Sequence, residues 1–210
     1  MATKQSKGKI GVLIEDHFDQ TEFRAFNEFF PAHGYDVEYI SHLWGNPQLE
    51  FGGNPDTGVV EEHVTVKTEV SDVDPSDYKG IIAIGAYAMD RLRYQANPKK
   101  GQKNQAPAVA FLRKAVSNPD VKLGTICHSL WLFCADSDLL RGKKVTCAHN
   151  IICDVENAGA EVVFDGDATA DLVIDGNLVS GKHPAVTGRF MEAFIREIEG
   201  NASSREAASA

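Results

Sequence analysis

The feature that most constrains this chain is a repeated switch between short apolar runs and segments with helical apolar spacing. Ile10 to Ile14 is a run long enough for a buried strand, and Phe23, Phe26 and Phe30 follow at helical spacing. That spacing predicts a helix from Asp19 to Ala32 that ends at Gly34. Val37 to Ile40 predicts a second strand, and residues 43–58, rich in Gly, Asn and Pro, a loop. Val64, Val66, Thr68 and Val70 alternate with charged residues, as in a half-exposed strand, and Ile81 to Ile84 is a buried strand closed by Gly85. The polar loop Asn97–Gln105 precedes a helix opened by Pro107 that buries Val109, Leu112 and Val116.

The alternation continues to the end of the chain. Val121 to Ile126 is a strand, Leu130 to Leu140 a helix, and Lys144 to Cys147 a short strand. A helix carrying Ile151, Ile152 and Val155 stops at Gly159, and Glu161 to Phe164 is a strand. Leu172–Ile174 and Leu178–Ser180 flank Asp175-Gly176, a tight-hairpin signal. Phe190, Met191, Phe194, Ile195 and Ile198 form one apolar helical face, and the small polar tail Asn201–Ala210 is expected to be disordered. Strands alternating with helices imply one α/β domain over residues 1–200, a mostly parallel sheet with helices on both faces.

Composition narrows the function. Lys and Arg total 21 against 30 Asp and Glu, a formal charge of −9, which argues against nucleic acid or an anionic membrane as partner. No apolar run approaches the ~18 residues of a membrane-spanning helix. The opening residues have no apolar leader region, so the expected location is the cytoplasm. Four cysteines, Cys127, Cys134, Cys147 and Cys153, show no CxxC spacing, so no zinc ribbon or thioredoxin-type motif is present and free thiols are expected. His149 and Cys153 are four apart, but two residues do not make a metal site, and neither metal nor cofactor is expected.

The segment with chemical content is Val121 to Trp131, where a buried strand runs into Cys127 and a helix follows at once. Such a strand–Cys–helix turn, a nucleophile elbow, exposes the sulfur at the carboxyl edge of the sheet. A helix N-terminus there is expected to lower the thiol pKa, and the His128 N–H is left free to stabilise an oxyanion. The alternative is a small, inert core cysteine.

Several segments in register resemble the DJ-1/PfpI superfamily, in particular its PfpI-type intracellular cysteine peptidase and glyoxalase branch. Gly124-Thr-Ile-Cys127-His128-Ser129 is similar to that branch's Ser-Ile-Cys-His-Gly, and Leu140-Arg-Gly-Lys-Lys-Val-Thr146 to its Leu-Arg-Gly-Arg-Lys-Val-Thr. Asp154 to Val162 and Asp175 to Val179 also match in order and spacing, and the resemblance runs from Lys9 to Ile198. It implies a flavodoxin-like three-layer sandwich, a nucleophile at Cys127 and a base at His128. It places the acid that contacts the cysteine at Asp19, in Phe18-Asp19, with Glu15 four residues too early. The resemblance also implies a third catalytic residue, Asp90, from the neighbouring subunit, and a second oxyanion N–H from Gly85 and Ala86. Ser129 replaces the Gly after Cys-His, Ala148 stands where relatives carry a pocket-lining His or Tyr, and His149 replaces the following Pro. These departures, with the Asn97–Gln105 insertion, bear on substrate more than on nucleophile. His183-Pro184 lacks the Glu that orients the histidine of cysteine amidotransferases.

The resemblance implies a homo-oligomer, a dimer or a hexamer, with shared active sites. It also implies a small dicarbonyl substrate or its amino-group adduct (glyoxalase III or deglycase chemistry), or a peptide. A different class of function is an oxidative-stress sensor or chaperone in which Cys127 is oxidised to a sulfinate.

Overall fold

The computed structural model describes residues 5–55 and 60–208. Residues 56–58 of the expected loop, the first four residues and the last two of the tail lie outside the described residues. The strands are β1 (Lys9–Leu13), β2 (Asp36–Ser41), β3 (Leu49–Gly52), β4 (His63–Val66), β5 (Thr68–Glu69), β6 (Gly80–Ala83) and β7 (Lys122–Ile126). They continue with β8 (Lys144–Val145), β9 (Glu161–Val162), β10 (Phe164–Asp165), β11 (Ala168–Thr169), β12 (Leu172–Asp175) and β13 (Leu178–Gly181). The α-helices are α1 (Gln20–Ala32), α2 (Ala88–Leu92), α3 (Pro107–Ser117), α4 (Leu130–Phe133), α5 (Ile152–Asn157) and α6 (Thr187–Ala208).

Seven strands form the central sheet in the order β12-β13-β7-β6-β1-β2-β5, and every neighbouring pair is parallel except β12 with β13. Helices cover both faces, which makes the flavodoxin-like three-layer sandwich. On one face α6 packs along β7 and β13 and against α1, with Phe26 and Phe30 meeting Phe190 and Phe194 at ring-centroid distances of 6.4 and 6.3 Å. That approach is close because Gly124 faces the helix: a Cβ there would lie 2.7 Å from Phe190 Cζ. On the other face α3 packs with α2 and α4.

Four adjacent parallel strands, β13, β7, β6 and β1, all end at the same sheet edge. The chain order reverses between β6 and β1, and ligands in open α/β sheets bind beside such a reversal. The loops leaving these four ends carry Asp19, Gly85, Ala86, Cys127 and His183.

Differences from the sequence reading have local causes. α4 is a single turn, Leu130–Phe133, because the next cap starts early: Asp136 accepts the Asp138 N–H and opens a separate 3-10 turn at Ser137–Leu139. The loop expected over 43–58 contains β3, which pairs antiparallel with β4 outside the main sheet. The tail expected to be disordered continues α6 as far as Ala208; Ala202 and the run Arg205 to Ala208 are strong helix formers, set among the weaker Asn201, Ser203 and Ser204. The Asn97–Gln105 loop is tied down: Asn104 Nδ2 donates to the Arg93 carbonyl at 2.8 Å, and Lys103 pairs with Asp138.

Candidate active site

Cys127 follows β7 directly and has a positive φ of 58°. An L-residue in this region is strained, and the sharp turn lifts the side chain off the end of the strand. Three bonds hold the turn. The Cys127 N–H donates to the Gly181 carbonyl at 3.0 Å, and its carbonyl accepts the Ala148 N–H at 3.1 Å. The Ile126 N–H donates to Ser129 Oγ at 2.7 Å. This last bond gives a structural use to Ser129, whose replacement of the family's Gly was expected to bear on substrate binding. Its hydroxyl is fully buried and turned back to brace the elbow.

The sulfur lies 3.0 Å from His128 Nδ1, and Cys127 as a whole is 6% exposed. The backbone N–H groups of Ala86 and His128 face it and favour its anion. Ala86 also has a positive φ, 58°, which is the conformation that aims its N–H at the sulfur. Gly85 does not share this role. Its N–H donates to Glu22 Oε2 at 2.7 Å, so the N–H that faces the sulfur is that of Ala86 and not that of Gly85.

The acid beside the sulfur is Glu22, not Asp19. Glu22 is fully buried, and its Oε1 has no hydrogen-bond partner among the described residues. A Cβ on Gly85 would lie 2.6 Å from that Oε1 and 2.9 Å from Cys127 Cβ, so carboxyl and cysteine flank one gap that only glycine leaves open. Asp19 is the N-cap of α1, and its Oδ1 accepts the Glu22 N–H at 2.9 Å. It therefore fixes the turn from which Glu22 projects. Asp19→Ala is expected to cost about 1 kcal/mol of stability, and Asp19→Asn to restore most of it; chemical denaturation of the three proteins checks this. Glu15 is also buried, and bonds the Asp16 N–H and Trp44 Nε1 at 3.1 and 3.2 Å, away from the sulfur.

The electrostatics correct a second expectation. Burial, and then the Glu22 carboxylate, push the Cys127 thiol up to about 12. A one-turn α4 offers little dipole to oppose this. Burial raises Glu22 well above the ordinary carboxylate range, with Asp19 adding to it. Burial lowers His128, with His149 and His183 pushing the same way and Asn150 the other. Burial therefore favours the neutral thiol, the neutral imidazole and the neutral Glu22 carboxyl in this site. Such a pair can react by general-base transfer from sulfur to Nδ1 as the bond forms, without a preformed thiolate.

His128 Nε2 is buried with no hydrogen-bond partner among the described residues. Asp90 lies on α2, exposed, beside a cavity of about 430 Å³ lined by Trp44, Arg91, Arg93 and Tyr94, and no hydrogen bond joins it to His128 within the chain. His149 is exposed, one residue beyond Ala148. The other cysteines are free: Cys134 and Cys147 are pushed by burial up to about 11 and about 12, and Cys153 is exposed.

The sequence model of the DJ-1/PfpI family matches residues 8–197. The chain belongs to the DJ-1/PfpI family. An uncharacterized protein of Staphylococcus haemolyticus is 26% identical over 194 residues, covering 91% of this chain and 98% of its own. A Bacillus subtilis protein named "Putative cysteine protease YraA" is 31% identical over 189 residues, covering 90% of this chain and 95% of its own. Among solved structures, Drosophila melanogaster DJ-1beta superposes with a TM-score of 0.72 at 16% identity, over 96% of both chains. A two-domain Anabaena variabilis protein with DJ-1/ThiJ/PfpI-like and ferritin-like domains has a TM-score of 0.75 at 23% identity, over 92% of this chain and 48% of that one. These likenesses fix the DJ-1/PfpI fold. Among the described residues, no helix is long and apolar enough to cross a membrane.

Proposed function

We propose that the chain is a cysteine-dependent enzyme acting on small 2-oxoaldehydes such as methylglyoxal, or on their adducts with amino groups. The observation that carries this is the neutral Cys127 thiol 3.0 Å from His128 Nδ1, with two backbone N–H groups at the sulfur. A nucleophile on a residue only 6% exposed favours a compact electrophile over an extended peptide. Sγ adds to the aldehyde carbon while its proton passes to His128, and the new oxyanion, facing the Ala86 and His128 N–H groups, takes that proton back. Moving the C1 proton to C2 turns the hemithioacetal into a 2-hydroxyacyl thioester. Water then releases the 2-hydroxy acid and restores the thiol. The net change is addition of one water, with no outside oxidant or reductant.

We propose further that the chain works as a homo-oligomer in which Asp90 of a second copy accepts a hydrogen bond from His128 Nε2. That bond would place the ring proton on Nε2 and leave Nδ1 as the base. The similarity to the Bacillus subtilis protein favours a peptidase as the second reading.

Methylglyoxal consumption and peptide hydrolysis, assayed on the same preparations, test this. Cys127→Ser is expected to lower methylglyoxal turnover by at least about 10³-fold, and His128→Ala by about 10² to 10⁴-fold. Cys127-dependent peptide cleavage without methylglyoxal turnover would replace the first reading with the second. Alkylation supplies a check independent of substrate. His128→Ala should slow labelling of Cys127 about 10²-fold while exposed Cys153, an internal reference, keeps its rate.

A further inference from the structure

The peptide carrying the nucleophile is held between two segments, and each delivers a histidine to the rim. The Gly181 carbonyl, at the end of β13, takes the Cys127 N–H, and His183 follows two residues later. The Ala148 N–H binds the Cys127 carbonyl, and His149 follows at once. Both rings are exposed. Neither has a part in the proton transfer between Cys127 and His128.

His183 is the better defined of the two. Lys182 before it is anchored to Asp171 at 2.6 Å and to the Thr169 carbonyl at 3.2 Å. After it, Thr187 Oγ1 donates to the Pro184 carbonyl at 2.6 Å. The ring itself caps this turn, with Nδ1 accepting the Ala185 N–H at 3.1 Å. An imidazole that accepts on Nδ1 carries its proton on Nε2, so the neutral ring is a fixed donor. β13 pairs with β7 up to Gly181 opposite Ile126, and its Gly181 carbonyl holds the Cys127 N–H at 3.0 Å, so His183 leaves the sheet on the strand next to the nucleophile's own.

We propose that His183 is a substrate-recognition residue whose Nε2–H donates to the oxygen on the carbon next to the one Cys127 attacks. The Ala86 and His128 N–H groups serve the oxygen of the attacked carbon, and a vicinal oxygen needs a donor of its own. A site built this way selects electrophiles with a neighbouring carbonyl over those without one. For the natural substrate the inference rests on the 2-oxoaldehyde reading, but the recognition chemistry extends to any electrophile whose reacting carbon bears an acyl group.

The test uses His183→Asn. Asn Oδ1 stands where Nδ1 stood and still caps the Ala185 N–H, while nothing remains at the Nε2 position. Cys127 is alkylated with iodoacetamide, whose reacting carbon bears a carbonyl, and separately methylthiolated with methyl methanethiosulfonate, whose reacting sulfur bears no acyl group and expels methanesulfinate; labelling is read by mass spectrometry. Iodoacetamide labelling of Cys127 should fall about five- to tenfold, the scale of one hydrogen bond, with methanethiosulfonate labelling and melting temperature unchanged. His183→Gln, whose amide reaches the Nε2 position, should restore the rate. The KM for methylglyoxal should rise by the same factor while kcat stays within about twofold. An unchanged iodoacetamide rate overturns the proposal, and so does an equal loss with both reagents, since that marks a disturbed elbow. If wild type turns over no methylglyoxal but the alkylation selectivity changes as expected, recognition by His183 stands and the 2-oxoaldehyde reading fails.

Discussion

Glu22→Gln is expected to speed alkylation of Cys127 at pH 9 by about tenfold, because it removes the charge that opposes the thiolate. In the wild type, raising the pH ionises Glu22 beside the sulfur, and the repulsion, added to burial, keeps the thiol near 12. A neutral amide of the same shape still accepts the Gly85 N–H, so the site stays assembled. A nearby like charge is worth about one to three pKa units, and part of the gain in thiolate is returned as lower nucleophilicity. In the acid range, where Glu22 is neutral in the wild type, the two rates should converge. Rate–pH profiles that superpose throughout would show that Glu22 does not face the sulfur. The same substitution should alter the pH dependence of stability. Glu22 is raised when folded, so above its ordinary value of 4.5 the unfolded chain loses this proton while the folded chain keeps it. Stability therefore declines as pH rises from about the ordinary value to the raised one, and Glu22→Gln should abolish that decline. Glu22→Ala is a different experiment. It empties a buried site and strands the Gly85 N–H, a loss of about 2–4 kcal/mol.

Where the sequence signal is local, it reads through to the structure. An apolar run ending in Cys127, followed by Leu130 and Trp131, can only be a strand entering a turn, and the structure puts the turn there with φ at 58°. Asp175-Gly176 between two apolar triplets marks the hairpin of β12 and β13, and Gly176 has φ at 63°. Asp19 is legible as a helix start and is the N-cap of α1. Glu22 is hidden by that same signal. A Glu three residues after an N-cap normally reads as a capping or dipole residue on the surface. Its burial follows from α1 starting at the reversal between β1 and β6, beside Gly85, which is a long-range fact. Ser129 misleads in the opposite way: a hydroxyl next to a nucleophile suggests substrate contact, yet the turn needs it to satisfy the Ile126 N–H. His183 lies 56 residues beyond Cys127 (183 − 127), and only the pairing of β7 with β13 brings it to the rim. The short α4 decides the chemistry most. Spacing from Leu130 to Leu140 suggests a helix long enough to depress a thiol pKa. The observed single turn leaves burial in control, so the burden passes from a preformed thiolate to His128 as base.

Mixing Asp90→Ala with Cys127→Ser, each inactive alone, is expected to restore about a quarter of wild-type turnover after subunit exchange. Two groups on each chain are unmatched: the Asp90 carboxylate at an exposed position on α2, and the buried His128 Nε2, which has no acceptor among the described residues. Within the chain only the Asn150 side chain acts on the His128 ring as a hydrogen-bond partner, and no carboxylate fixes the tautomer that leaves Nδ1 open toward the sulfur 3.0 Å away. Loss of such an orienting carboxylate in a triad can cost about 10⁴-fold in rate with the nucleophile in place. If the acid is lent across a two-fold contact, a mixed dimer has one site with both wild-type residues and one with neither. Random exchange makes about half the dimers mixed, which gives the quarter. Turnover that stays at zero after mass spectrometry has shown exchange would assign Asp90 to its own chain or to no catalytic role. A wild-type protein that is monomeric by light scattering at micromolar concentration and fully active would end the shared-site proposal, and His128 would then need its acceptor from water or substrate.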